Sequence, residues 1–106
     1  MANPWRGEVT LVIDGMPHVL RLTLGALAEL EAGLAADTLV DLVARFEGSA
    51  CSSRDVLALI VAGLRGGGWS GTAADLLAAE IEGGPLAAAQ VAAELLARAF
   101  VPVAET

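Results

Sequence analysis

The apolar residues of this chain change their spacing at Thr23, from every second position to about every third or fourth. The alternating apolar positions before it are Val9, Leu11 and Ile13, a pattern typical of a strand with one buried face. Asp14-Gly15 follows directly, and this dipeptide suits a two-residue turn in which both residues have positive φ. The pattern therefore predicts a β-hairpin over about residues 7–22, with helices after it.

Pairing the two strands across this turn places the apolar residues on one face of the hairpin. The predicted pairs on that face are Ile13 with Met16, Leu11 with His18, and Val9 with Leu20. On the opposite face Glu8 stands across from Arg21, so opposite charges meet. Pro17 cannot donate a hydrogen bond to a neighbouring strand, so its strand should lie at an edge of the sheet.

Helical periodicity occupies most of the chain after the hairpin. The predicted helices span about 24–35, 38–47, 53–65, 73–82 and 85–100, and residues 101–106 form a short tail. The apolar stripe of the first helix consists of Leu24, Leu27, Leu30 and Leu34. Together with the length, this predicts a single domain over residues 1–106, of the α+β class and mostly helical.

Residues that favour helix ends stand at the expected places. The predicted caps are Thr23, Asp37, Ser52 with Asp55, and Thr72 with Asp75, while Pro85 falls in the first turn of the last helix. Gly66-Gly67-Gly68 lacks the Lys-Ser/Thr of a phosphate-binding loop and follows a helix rather than a strand. The glycine run therefore predicts a helix terminator with a mobile turn.

The chain is apolar for its length of 106 residues, with 56% hydrophobic and 18% charged residues and a mean hydropathy of +0.65. Its longest run without a charged residue, 83–93, is shorter than the roughly 20 apolar residues that a membrane-spanning helix needs. The first residues contain no apolar signal-peptide core. We therefore expect a cytoplasmic protein.

The charge distribution excludes two classes of partner. The formal net charge is -7, there is no lysine, and the arginines are scattered along the chain. Nucleic-acid binding needs a clustered basic surface, and binding to an anionic membrane surface needs the same. We therefore expect neither nucleic acid nor a membrane among the partners.

The sequence contains no pattern typical of catalysis, cofactor binding or metal binding. Cys51 is the only cysteine and His18 the only histidine, so an intrachain disulfide is excluded and no spacing suggests a zinc site. Glu29 and Glu31 are two residues apart on a predicted helix, so they face different directions and cannot act as an acid/base pair. We expect a non-enzymatic protein with no catalytic residue, cofactor or metal.

Two predicted helices, 53–65 and 85–100, are apolar around nearly their whole circumference. Such helices are normally buried, but a chain of this size has room for only one at its centre. Either the alanines expose small methyl groups at little cost, or helix 85–100 and the residues after it form an interface with another copy or another protein. On the second explanation the contact residues are Trp69, Leu86, Val91, Leu95, Phe100 and Val101. Trp69, like Trp5, either seals an edge of the core or anchors a partner.

The order of several short motifs resembles that of a known family. These motifs are Leu20-Arg-Leu-Thr-Leu-Gly-Ala-Leu-Ala-Glu-Leu-Glu31, Phe46-Glu47, Ser53-Arg-Asp55, Gly63-Leu-Arg-Gly-Gly-Gly68 and Glu94-Leu-Leu-Ala-Arg-Ala-Phe100. Over about residues 6–100 the chain resembles the small tail protein of gene transfer agents and of related siphophage-like prophages of alphaproteobacteria. That family is described as a tail assembly chaperone and sometimes as a tail tube protein.

The resemblance implies a non-enzymatic role in building a phage-like particle. Such chaperones bind the long, aggregation-prone tape measure protein while tail tube subunits polymerise around it. The implied partners are the tape measure protein and, in addition, the tail tube protein. A homo-oligomer is a further alternative. The alternatives are a structural tail tube component or a small dimerising regulatory module. One hairpin supplies little strand for a tube wall, which favours the chaperone.

Overall fold

The computed structural model describes residues 7–33, Asp41, Ala44 and 52–100. Within them a β-hairpin precedes helices, which confirms the predicted α+β, mostly helical class. The described strands are β1 (Val9–Ile13) and β2 (Met16–Leu20), and the described helices are α1 (Leu24–Gly33), α2 (Ser53–Gly66), α3 (Ala73–Leu77) and α4 (Gly84–Phe100). Apart from Asp41 and Ala44, which are helical, the predicted helix 38–47 lies outside the described residues, as do Trp5, Cys51 and the tail 101–106.

The hairpin has the predicted turn and the predicted register. Asp14 and Gly15 adopt φ angles of 51° and 78°, as the Asp-Gly dipeptide requires. The strands pair antiparallel, with Leu11 opposite His18 and the other pairs in step with it. The alternate residues of β1 that start at Val9 are buried, so this face of the hairpin packs on the helices.

The connection between α3 and α4 pairs with the outer edge of β1. Ile81 forms an isolated antiparallel bridge with Ile13, and a backbone hydrogen bond lies on either side of it. The prediction of a helix over 73–82 is therefore wrong at its C-terminal end, because the helix stops at Leu77 and the backbone beyond it pairs with a strand. We call residues 80–82 the strap.

The helix starts use the predicted caps. In the capping box of α2, the Asp55 N–H donates to Ser52 Oγ (3.2 Å) and the Ser52 N–H donates to Asp55 Oδ2 (3.0 Å). The corresponding bonds elsewhere join Ala26 N–H to Thr23 Oγ1 (3.0 Å) and Thr72 N–H to Asp75 Oδ2 (2.9 Å). These bonds pair backbone donors that would otherwise lack a partner at a helix start, and so fix where the helices begin.

α2 occupies the centre of the fold, as expected for one of the two apolar helices. It contacts α1, α3, α4 and β2. Its residues Leu59, Ile60 and Leu64 are at most 1% exposed. The core is therefore a layer of helices around α2, closed on one side by the hairpin.

Glycines let α2 approach its neighbours closely. A Cβ at Gly63 would lie 2.8 Å from Leu95 Cδ1 and 3.2 Å from Leu20 Cβ. A Cβ at Gly66 would collide with the backbone carbonyl oxygen of Arg21, just beyond β2. The glycine run predicted as a terminator thus also seats the end of α2 against the hairpin.

Candidate partner-binding site

Two of the residues predicted to contact a partner belong to the core instead. Val91 is 9% exposed and Leu95 is fully buried, and the Leu95 side chain lies against Gly63 of α2. A buried side chain reaches a partner only if the fold opens. Val91 and Leu95 therefore stabilise the packing of α4 and are not surface contacts.

The other predicted contact residues lie in different places. Leu86, in the first turn of α4, is 70% exposed. Trp69 is half-buried and packs against the core at the far end of α2. The Phe100 side chain and Val101 lie outside what the structure describes. Among the predicted contact residues that the structure describes, Leu86 is thus the large apolar side chain that is exposed to a partner.

Alanines on the outward face of α4 account for much of the high apolar content of the chain. Its exposed positions after the first turn are Gln90, Ala93, Glu94 and Ala97. Alanine methyl groups add little apolar surface, and the Glu94 carboxylate pairs with Arg98 at 3.1 Å. The middle of α4 therefore offers no large apolar patch to a partner.

An open apolar groove lies instead where the first turns of α2 and α4 meet α3 and the strap. Its volume is about 640 Å³. It is lined by Ser52, Ser53, Arg54, Val56, Leu57 and Ile60 of α2 and its cap, Leu76 and Leu77 of α3, Ile81 of the strap, and Pro85, Ala88 and Ala89 of α4. Leu77 is 73% exposed, and Leu86 follows Pro85 directly. We call this feature the α2–α4 groove.

The groove has charged groups of both signs, which lie at different places. Arg54 is the cation among its lining residues. Glu80 and Glu82, on either side of Ile81 in the strap, are exposed, and neither carboxylate has an ion pair with a described residue. By contrast, Glu29 is engaged by Arg65 at 3.0 Å on a different part of the surface. The groove is therefore apolar at its base and acidic beside the strap.

A second, smaller cleft lies along the outer side of β2. It has a volume of about 510 Å³ and contains Trp69, His18 and the glycines after α2. Polar and apolar atoms line it about equally. The Trp69 ring closes down on Gly71 and packs against the core, so it seals the end of the core here.

Among residues 7–33, 41, 44 and 52–100, no group of three or more His, Cys, Asp or Glu side chains could hold a metal ion. None of the helices in the described part is long and apolar enough to cross a membrane.

Most residues of the groove could not be predicted from the sequence. No sequence motif includes Val56, Leu77 or Ile81. Their position in the groove depends on the strap, which leaves the helical path predicted for residues 73–82. The available signal was Gly83-Gly84, where both residues adopt positive φ and mark a sharp break before α4.

A family model described as "Phage tail tube protein, GTA-gp10" matches residues 6–101. No curated protein and no solved structure shows a significant match.

Proposed function

The chain belongs to the phage tail tube protein family GTA-gp10, and from this we propose that it acts as a non-enzymatic tail assembly chaperone. In this role it binds the tape measure protein, and in addition tail tube subunits, in the cytoplasm of the producing cell. Membership of a phage tail family itself places the chain in an assembly of proteins.

The open α2–α4 groove is the observation that carries the proposal. Leu77 and Leu86 are each at least 70% exposed beside it, whereas large apolar side chains elsewhere on the described helices are mostly buried. An exposed apolar surface with polar surroundings is typical of a protein interaction site. We therefore assign partner contact to Leu77 and Leu86.

The amount of sheet favours an escort over a wall subunit. A tube wall formed by sheets that close across neighbours needs several strands from each subunit. The described part contains one two-stranded sheet, extended by a single bridge at the strap. The other described elements are helices, of which α2 and α4 pack on the hairpin.

Co-expression with fragments of a tape measure protein tests the proposal. The full chain should elute with a fragment as one complex of defined mass in size-exclusion chromatography with light scattering, and should keep that fragment in solution. Leu77→Ser should weaken the complex, whereas Leu24→Ser, at an 85% exposed position on α1, should not. If wild-type chain and every fragment elute separately, the chaperone role is wrong.

The second candidate is a structural tail tube component, which the description of the matched family favours. The purified chain would then polymerise into tubes or rings visible by negative-stain electron microscopy, and it would be abundant in mature particles by mass spectrometry. The chaperone role instead expects its absence from mature particles.

A further inference from the structure

We propose that the α2–α4 groove takes a basic amphipathic α-helix of the partner protein. The inference rests on the proposed function in so far as the partner is a tail protein, and it adds the chemistry by which that partner is recognised. Three features of the described residues carry it: the state of the backbone around the groove, the charges beside it, and the exposed leucines at its rim.

The backbone around the groove favours a helical occupant. Most of the lining residues belong to α2, α3 and α4, and helices present side chains rather than a strand edge. The strap offers little free edge, since Glu80 bonds to Asp14 of the turn, Glu82 bonds to Val12 of β1, and the Ile81 carbonyl accepts the Gly84 N–H at 2.9 Å. An extended peptide would therefore find no continuous strand edge here, and most of its backbone groups would lose water without gaining partners. A helix satisfies its backbone internally and presents only side chains.

The charges beside the groove favour a basic occupant. Glu80 and Glu82 are exposed beside the groove and have no ion pair with a described residue, so two carboxylates stand against Arg54, the cation in the lining. The whole chain carries a net charge of -7 with no lysine. Lysine or arginine at the edge of the docked helix would pair with these carboxylates, while acidic residues would be repelled. A second copy of this chain is disfavoured for the same reason, because it brings the same excess of negative charge.

The two exposed leucines supply the apolar contact. Leu77 lines the groove and Leu86 lies one residue beyond Pro85. A helix laid along the groove would cover Leu77, and it would reach Leu86 where it passes Pro85. Removing one leucine side chain from such a contact should weaken binding about tenfold.

Synthetic peptides of about 18 residues, long enough to form a helix on binding, provide the probe. One fluorescein-labelled peptide has a leucine and alanine face with lysines on the polar face, and its matched partner carries glutamates in place of the lysines. A scrambled lysine peptide, with the same composition but no apolar face, controls for attraction by charge alone. Binding to the full chain is measured by fluorescence anisotropy at low and high salt.

The amphipathic lysine peptide should bind at least tenfold more tightly than the glutamate and scrambled peptides. Leu77→Ser and Leu86→Ser should each lower the affinity for this peptide about tenfold, and Leu24→Ser should leave the affinity unchanged. Glu80→Gln combined with Glu82→Gln should lower the affinity and flatten its salt dependence. Circular dichroism of each variant establishes that the fold is retained.

Equal binding of the lysine and glutamate peptides would overturn the inference, as would equal losses in Leu24→Ser and Leu77→Ser. Dimerisation of the free chain that Leu77→Ser abolishes would assign the groove to a second copy and would also overturn it. The two proposals fail separately. If tape measure fragments bind Leu77→Ser as well as wild type, the groove is wrong and the chaperone role stands. If the lysine peptide binds as described but no fragment co-purifies, the chaperone role is wrong.

Discussion

Ile81 forms an antiparallel bridge with Ile13, although the hairpin and the strap stand at nearly opposite ends of the described chain. Ile13 is buried in the core and Ile81 packs against it. The bridge therefore anchors the connection between α3 and α4 on the hairpin. It also sets the position of Ile81 in the α2–α4 groove, so the hairpin helps to shape a surface built mainly from helices.

Asp14 holds the strap to the hairpin turn and is the first residue to test. Its Oδ1 accepts the Glu80 N–H at 2.9 Å, and its φ of 51° lies in the left-handed region. Asp14→Ala removes the acceptor and places a residue there that tolerates this backbone poorly, so the free energy of unfolding should fall by about 1–2 kcal/mol. Asp14→Asn keeps an acceptor oxygen and tolerates the backbone, so it should stay within about 0.5 kcal/mol of wild type. Urea denaturation followed by circular dichroism measures both, and equal losses would contradict the role of this bond.

Gly63 should tolerate no side chain, because α2, α4 and β2 meet at this residue. A Cβ there would lie 2.8 Å from Leu95 Cδ1, so Gly63→Ala should destabilise the fold by about 1–3 kcal/mol through overpacking. Gly25→Ala on α1 is the matched control, since its nearest neighbour would be Thr23 Oγ1 at 3.9 Å. That change should stabilise the chain by about 0.5–1 kcal/mol, because alanine favours a helix over glycine. Thermal unfolding of the pair should give shifts of opposite sign, and a stable Gly63→Ala would mean that α2 and α4 pack less closely.

Features set by neighbouring residues could be predicted from the sequence. The hairpin register follows from Asp14-Gly15, and the start of α2 follows from Ser52 and Asp55, three residues apart. The resemblance and the match to the family model agree over nearly the same residues. Local signals therefore gave the class of fold and the family.

Features set by distant residues could not be predicted in the same way. Leu24 lies on the predicted apolar stripe of α1 but is 85% exposed, because Ala26 and Leu30 face the core instead. Leu95 and Leu86 looked alike in an apolar helix, and only the position of α2 decides that one is buried and the other exposed. The strap pairing joins residues far apart in the chain, and Gly83-Gly84 marks the break before α4 without indicating what the strap pairs with. The candidate groove depends on which of these side chains are buried and on how the strap pairs, so only the structure reveals it.

The capping box of α2 gives a prediction about stability at the edge of the groove. Ser52→Ala removes the Oγ that accepts the Asp55 N–H at 3.2 Å, which should lower the free energy of unfolding by about 1 kcal/mol. Ser53→Ala is the matched control, because Ser53 is exposed at the first helical position. It should change stability by less than about 0.5 kcal/mol. Chemical denaturation of the two variants side by side decides the matter, and a loss at Ser53 equal to that at Ser52 would contradict the capping role.

Leu95 and Leu86 lie on the same helix and should affect stability and binding in opposite ways. Leu95 is fully buried, so Leu95→Ala leaves a cavity at the contact of α4 with α2 and should cost about 2–5 kcal/mol of unfolding free energy. Leu86 is 70% exposed, so Leu86→Ala should cost less than about 0.5 kcal/mol. In the peptide assay the order reverses. Leu86→Ala should lower the affinity for the amphipathic lysine peptide several-fold. The folded fraction of Leu95→Ala should bind this peptide with wild-type affinity. Measuring unfolding and anisotropy on the same two samples separates the roles, because a direct contact through Leu95 would lower affinity even after correction for the folded fraction.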